Sequence, residues 1–148
     1  MPHHRRQPVE WGDCDAAGIV FYPAFFRWMD AAFHDLTRAC GFEQRDLAAH
    51  GLLGTPLVHA ACDFRAPATY GEILDVELRL TRLGRSGLGL ACRFARGGIL
   101  VAEGTEARAF VRRSGAGEGG EGAGGATRIV PAEIPPALRA ALAAHLEG

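Results

Sequence analysis

No apolar run opens this chain of 148 residues. A secretory leader is therefore not expected, and the cytoplasm is the expected compartment. Basic charge is not in excess. Lys and Arg total 16 against 17 Asp and Glu, a formal net charge of −1, which is unlike the basic footprint of a nucleic-acid binder. Cysteine is scarce: Cys14, Cys40, Cys62 and Cys92 show no CxxC spacing and sit inside apolar patterns. They read as free thiols, not as zinc ligands or disulfides. No phosphate-loop spacing and no internal repeat is present. The most apolar helix candidate is too short and too interrupted by charge to span a membrane. Neither a metal, a cofactor, a nucleic acid nor a membrane is expected as a partner.

What is present is concentrated between Trp11 and Asp30. Asp13 and Asp15 stand in a turn that ends at Gly18. A short apolar run, Ile19 to Tyr22, leads into Pro23. Proline suits a first helical position, because its missing N–H would have no partner there. A loop bearing carboxylates thus runs into a helix N-terminus, where free N–H groups and a partial positive charge gather. Such a terminus can stabilise an oxygen that becomes an anion. The helical pattern runs from Pro23 to Cys40, roughly 27 Å, with Gly41 as the stop. Phe25, Met29, Ala32, Phe33, Leu36 and Cys40 form one stripe, widened by Trp28, Ala31 and Ala39. Arg27, Asp30, His34 and Arg38 share the remaining arc. A helix this apolar is mostly enclosed.

The length predicts a single domain over residues 1–148, able to bury roughly two thirds of its unfolded surface. Met1 to Gln7, including His3 and His4, reads as a loose polar terminus. Pro8 to Gly12 reads as a short strand. After the helix comes a polar connector, Phe42 to Gly51, with a helical turn near Arg45 to His50. Gly54-Thr55-Pro56 is a turn signal, and Leu57 to Phe64 is a strand. Leu74, Val76, Leu78 and Leu80 alternate with polar residues through Ile73 to Leu83. Leu88, Leu90, Cys92 and Phe94 form one face of the next strand. Gly97-Gly98 makes a hairpin, and Ile99 to Arg112 is the last long strand. The Gly-rich segment 114–127 reads as a flexible connector. A C-terminal helix is expected over residues 135–146. The fold class is α+β, a long helix followed by antiparallel strands with one buried sheet face.

The run Gly12-Asp13-Cys14-Asp15-Ala16-Ala17-Gly18-Ile19-Val20-Phe21-Tyr22-Pro23, followed by Arg27-Trp28-Met29-Asp30, closely resembles the motif of the 4-hydroxybenzoyl-CoA thioesterase family of the Pseudomonas type. Gly54-Thr55-Pro56 and Leu83-Gly84-Arg85-Ser86 fit the same family, so the resemblance covers roughly Val9 to Arg112. It implies the hotdog fold, a long central helix wrapped by an antiparallel sheet of about five strands. It implies a homo-oligomer: dimers joined sheet edge to sheet edge, with active sites shared between subunits, pairing into tetramers. It implies acyl-CoA as substrate, with coenzyme A carried in by the substrate and no separate cofactor.

Residue by residue, the resemblance places the catalytic carboxylate on Asp15, as nucleophile or as the base that activates water. It places the N–H that polarises the thioester carbonyl at Tyr22, and the acid that reads a ring hydroxyl at Asp30. Phe21 stands where the hydroxybenzoyl enzyme has a Trp, which removes an indole donor. The basic cluster that meets the nucleotide is reduced to Arg85. Thr55 is a candidate for contact with the thioester region from the opposing strand. The competing roles are ordinary ones. Asp is a common cap and turn residue, which is the expected role of Asp13. Asp30 can pair with His34 or Arg27 along the helix. The expected activity is hydrolysis of an aromatic acyl-CoA of the benzoyl or hydroxybenzoyl type. The alternatives are an aliphatic acyl-CoA or acyl-carrier-protein thioesterase of the same fold, or a non-catalytic acyl-CoA-binding module. A dehydratase is disfavoured, because no His occupies the acidic turn.

Overall fold

The structure, a computed structural model, describes residues 1–115 and 128–148. The expected Gly-rich connector therefore lies, from residue 116 onward, outside the described residues. The chain begins with β1 (His3–Pro8) and a 3-10 turn at Trp11–Asp13, then enters α1 (Pro23–Ala39). Two 3-10 turns, Gln44–Asp46 and Ala48–His50, fill the polar connector. The strands β2 (Leu57–Phe64), β3 (Ile73–Leu83), β4 (Gly87–Arg96) and β5 (Ile99–Ala109) follow. Two short strands, β6 (Val111–Arg113) and β7 (Ile129–Pro131), and α2 (Pro136–Ala143) end the chain.

The main sheet has five strands in the order β1-β3-β4-β5-β2, every neighbour antiparallel. The alternation read from the sequence sets its buried face. Leu74, Val76, Leu78 and Leu80 of β3 and Leu88, Leu90, Cys92 and Phe94 of β4 all point into the core. Against them lies α1, whose buried stripe is Ala24, Phe25, Trp28, Met29, Ala32, Phe33, Leu36 and Thr37. Gly41, at φ 81°, ends the helix in the left-handed conformation that glycine adopts without cost. Helix and sheet approach closely at Gly104 of β5. A Cβ built there would stand 2.8 Å from the Met29 sulfur and 2.6 Å from the Ala61 carbonyl oxygen.

Three elements differ from the sequence reading. Met1 to Gln7 is not loose: β1 pairs along β3 from His3↔Leu78 to Pro8↔Ile73. An edge strand made of His, Arg and Gln carries no apolar alternation to betray it. It is held by its backbone ladder and by the His3 Nε2 bond to Asp35 of α1, at 3.0 Å. The predicted strand over Pro8 to Gly12 is instead the end of β1 and the Trp11–Asp13 turn. The predicted last strand breaks at Phe110, whose N–H donates to the Ser86 carbonyl. Beyond it, Val111–Arg113 pairs with Ile129–Pro131 in a separate ribbon.

Candidate active site

The acidic turn is pinned from several sides. Asp13 is buried, accepts the Glu10 N–H at 2.8 Å and receives the Arg27 guanidinium from α1. Its carbonyl accepts the Phe21 N–H at 2.8 Å. Asp13 is thus held by contacts from the turn itself and from α1. Asp15 is exposed. Its N–H donates to the Ile19 carbonyl, and its own carbonyl accepts the Gly18 N–H. Its Oδ1 accepts the Ala17 N–H at 2.9 Å, which fixes the carboxylate within the turn. Gly18, at φ 79°, allows the chain to turn back there. Cys14 lies half-buried between the acids with its thiol toward the Glu10 carbonyl.

Asp15, Phe21 and Tyr22 come together on one cleft of about 630 Å³. Its other walls include Phe25, Phe64 and Ala68. The aromatic rings interlock: the Phe21 and Tyr22 centroids are 5.2 Å apart, and Phe25 and Phe64 are 5.4 Å apart. Pro23 occupies the first helical position directly after Tyr22. The Tyr22 N–H has no backbone acceptor among the described residues. The cleft therefore combines a carboxylate, the positive end of α1 and an apolar aromatic wall.

Asp30 and Thr55 do not line that cleft. They meet on a second one, of about 480 Å³, with His34, Leu57 and Arg108. Arg108 joins them. Its Nη2 donates to Asp30 Oδ1 at 2.7 Å and its Nη1 to the Thr55 carbonyl at 3.2 Å. Its Nε donates to Glu106 Oε2 at 2.9 Å. Burial pushes the Glu106 carboxyl up, against the opposing pull of Arg108. Burial likewise lowers the His34 imidazole, and the Asp30 carboxylate only partly restores it. Arg85 lies apart from both clefts. It is exposed, with Glu133 at 3.9 Å.

Glu106 and Arg108 were missed in the sequence. The signal was there, because both fall on the same alternating face of β5 as Gly104, which faces the helix. Two charges on a core-facing row demand each other.

The profile of the thioesterase-like superfamily matches residues 9–142. The chain belongs to that superfamily. The 4-hydroxybenzoyl-CoA thioesterase of Pseudomonas sp. (strain CBS-3) is 38% identical over 74 residues, covering 49% of this chain and 52% of that protein. A 1,4-dihydroxy-2-naphthoyl-CoA hydrolase of Synechococcus elongatus is 35% identical over 78 residues, 52% of this chain and 57% of the hydrolase. The chain thus spans about half the length of the curated relatives it matches. The likeness in three dimensions is more extensive. The crystal structure of the Pseudomonas thioesterase superposes with a TM-score of 0.78 at 29% identity, over 95% of this chain and 98% of that one. A gentisyl-coenzyme A thioesterase gives 0.74, also at 29% identity, over 95% and 99%. This superfamily member has the hotdog fold, as its wrapped helix and five-stranded sheet require.

Proposed function

We propose that this protein is an acyl-CoA thioesterase that hydrolyses aromatic acyl-CoA of the benzoyl or hydroxybenzoyl type to the free acid and CoA. The observation that carries the reading is one cleft lined by Asp15, by Tyr22 at the start of α1 and by a wall of aromatic rings. A thioester is already activated, because sulfur overlaps poorly with its carbonyl, so hydrolysis needs a nucleophile or base and a donor for the developing oxyanion. Asp15 supplies the first. It either attacks the carbonyl, forming a mixed anhydride as CoA thiolate leaves and water then cleaves, or takes a proton from the attacking water. The Tyr22 N–H and the helix terminus supply the second. Phe21 packs against the acyl ring. From the second cleft Asp30 contacts the acyl group and Thr55 the thioester region, and Arg85 meets the nucleotide phosphates.

The reading requires a second copy of the chain, because Asp15 and Asp30 line different clefts. β2 is one of the two edge strands of the sheet, β1 being the other, and every residue of β2 except Cys62 is exposed. Its two ends serve the two clefts: Phe64 lines the first and Leu57 the second. A two-fold antiparallel pairing of β2 strands sets the Leu57 end of one copy beside the Phe64 end of the other. Each dimer then closes two composite sites, and dimers of this kind can pair into a tetramer. Among the described residues no helix is long and apolar enough to cross a membrane. A cytoplasmic working place fits the expected free thiols.

Thiol release from benzoyl-CoA, 4-hydroxybenzoyl-CoA and short and long aliphatic CoA esters tests the reading. Fast release from the aromatic esters supports it. Preference for aliphatic esters replaces the substrate class, and release from none overturns the activity.

A further inference from the structure

Arg108 is the most deeply buried cation described, with its side chain 3% exposed. A guanidinium in that position is tolerated only with its donors filled. β5 supplies Glu106 to Nε, the segment before β2 supplies the Thr55 carbonyl to Nη1, and α1 supplies Asp30 to Nη2. The Phe33 ring covers the guanidinium face, 4.3 Å from its centroid to the Cζ. The fork is therefore clamped by three elements and a ring. It is far more enclosed than Asp30, whose side chain is 47% exposed on the second cleft.

The geometry at Asp30 is one-sided. Arg108 donates to Oδ1, and His34 Nε2 stands 3.4 Å from the same oxygen. Oδ2 takes no bond from the described residues. We propose that Arg108 is a positioning residue: it anchors Asp30 through Oδ1 and so turns Oδ2, the acceptor that the family resemblance assigns to a ring hydroxyl, toward the cleft. The inference rests on the second cleft being an acyl subsite, as proposed above. Glu106 strengthens it. Among the described residues lining the cleft Arg108 is the one Arg or Lys, and two carboxylates share it. An acyl group ending in a carboxylate would meet the Asp30 oxygen unpaired, whereas a hydroxyl donates to it. Sequence position gives no hint of the pairing, since Asp30 and Arg108 are 78 residues apart.

The test compares 4-hydroxybenzoyl-CoA with benzoyl-CoA in the full chain, its Arg108→Lys variant and the paired variant Glu106→Leu/Arg108→Met. The paired variant guards against misfolding, because replacing a buried ion pair as a unit by apolar residues is commonly tolerated. The expected result is that the wild type favours the hydroxylated ester. Each variant should lose roughly tenfold of that preference, the loss falling on KM for the hydroxylated ester and not on kcat. An unchanged ratio in either folded, active variant overturns the role of Arg108 and leaves the thioesterase reading standing. Absence of turnover on both esters in the wild type overturns the thioesterase reading itself, and the inference with it.

Discussion

Arg27, one turn into α1, reaches back across the acidic loop and donates to the buried carboxylate of Asp13. The helix thereby holds the loop that precedes it. Asp13 bonds Arg27, the Glu10 N–H and, through its carbonyl, the Phe21 N–H. Those contacts set where Asp15 and Tyr22 stand relative to each other. Asp13→Ala should cost about 1–3 kcal/mol of stability, by loss of a charged hydrogen bond and a turn cap. It should also slow turnover, because the Asp15 turn loses its anchor. Urea unfolding and thiol release on the same preparation check both. Unchanged stability would show that the Arg27 contact contributes nothing.

The contact between Gly104 and Met29 is tight enough to predict a severe effect from one methyl group. A Cβ at Gly104 would meet both Met29 and the Ala61 backbone. Gly104→Ala should destabilise by about 1–3 kcal/mol, as overpacking does. Gly98→Ala, where a Cβ meets nothing within 4 Å, serves as the comparison and should be near neutral. Thermal unfolding of the two variants checks the difference.

His34 should make stability depend on pH below neutrality. Burial holds its imidazole below 6.5, and the Arg108 and Arg38 charges act the same way, against the opposing pull of Asp30. The unfolded chain therefore binds this proton first as pH falls. The stability contributed is present above 6.5 and is lost as pH falls through the native value. His34→Gln should flatten the urea midpoint between about pH 7 and pH 5 relative to the wild type. Equal slopes in the two proteins would contradict this.

The β2 edge should be the dimer interface. Val58 is 70% exposed on this edge strand, a position where a charge discourages strand pairing. Val58→Arg with Ala60→Arg should convert the dimer to monomer in light scattering. Turnover should fall with it, because Asp15 and Asp30 line different clefts. A dimer that survives these changes places the interface elsewhere.

The parts of this fold legible in the sequence are those where burial alternates with apolar side chains. β3 and β4 announce themselves by Leu74 to Leu80 and Leu88 to Phe94, and α1 by its apolar stripe and Gly41. β1 was illegible, because a polar edge strand is held by backbone bonds that no side-chain pattern encodes. At the candidate site the local motif brought Asp15, Phe21 and Tyr22 together, since all three lie within eight residues of chain. The link from Asp30 to Arg108 needs the sheet to close over the helix, so no spacing rule reveals it.

The account turns on Asp15, and thiol release by Asp15→Asn measures it most directly. The variant keeps the side-chain oxygen that accepts the Ala17 N–H, so the turn should hold and the protein should fold as the wild type does. Release from an aromatic acyl-CoA should fall by at least about a hundredfold, with binding of the ester retained. Wild-type turnover in the folded variant would contradict it and leave Asp15 as a turn-forming residue.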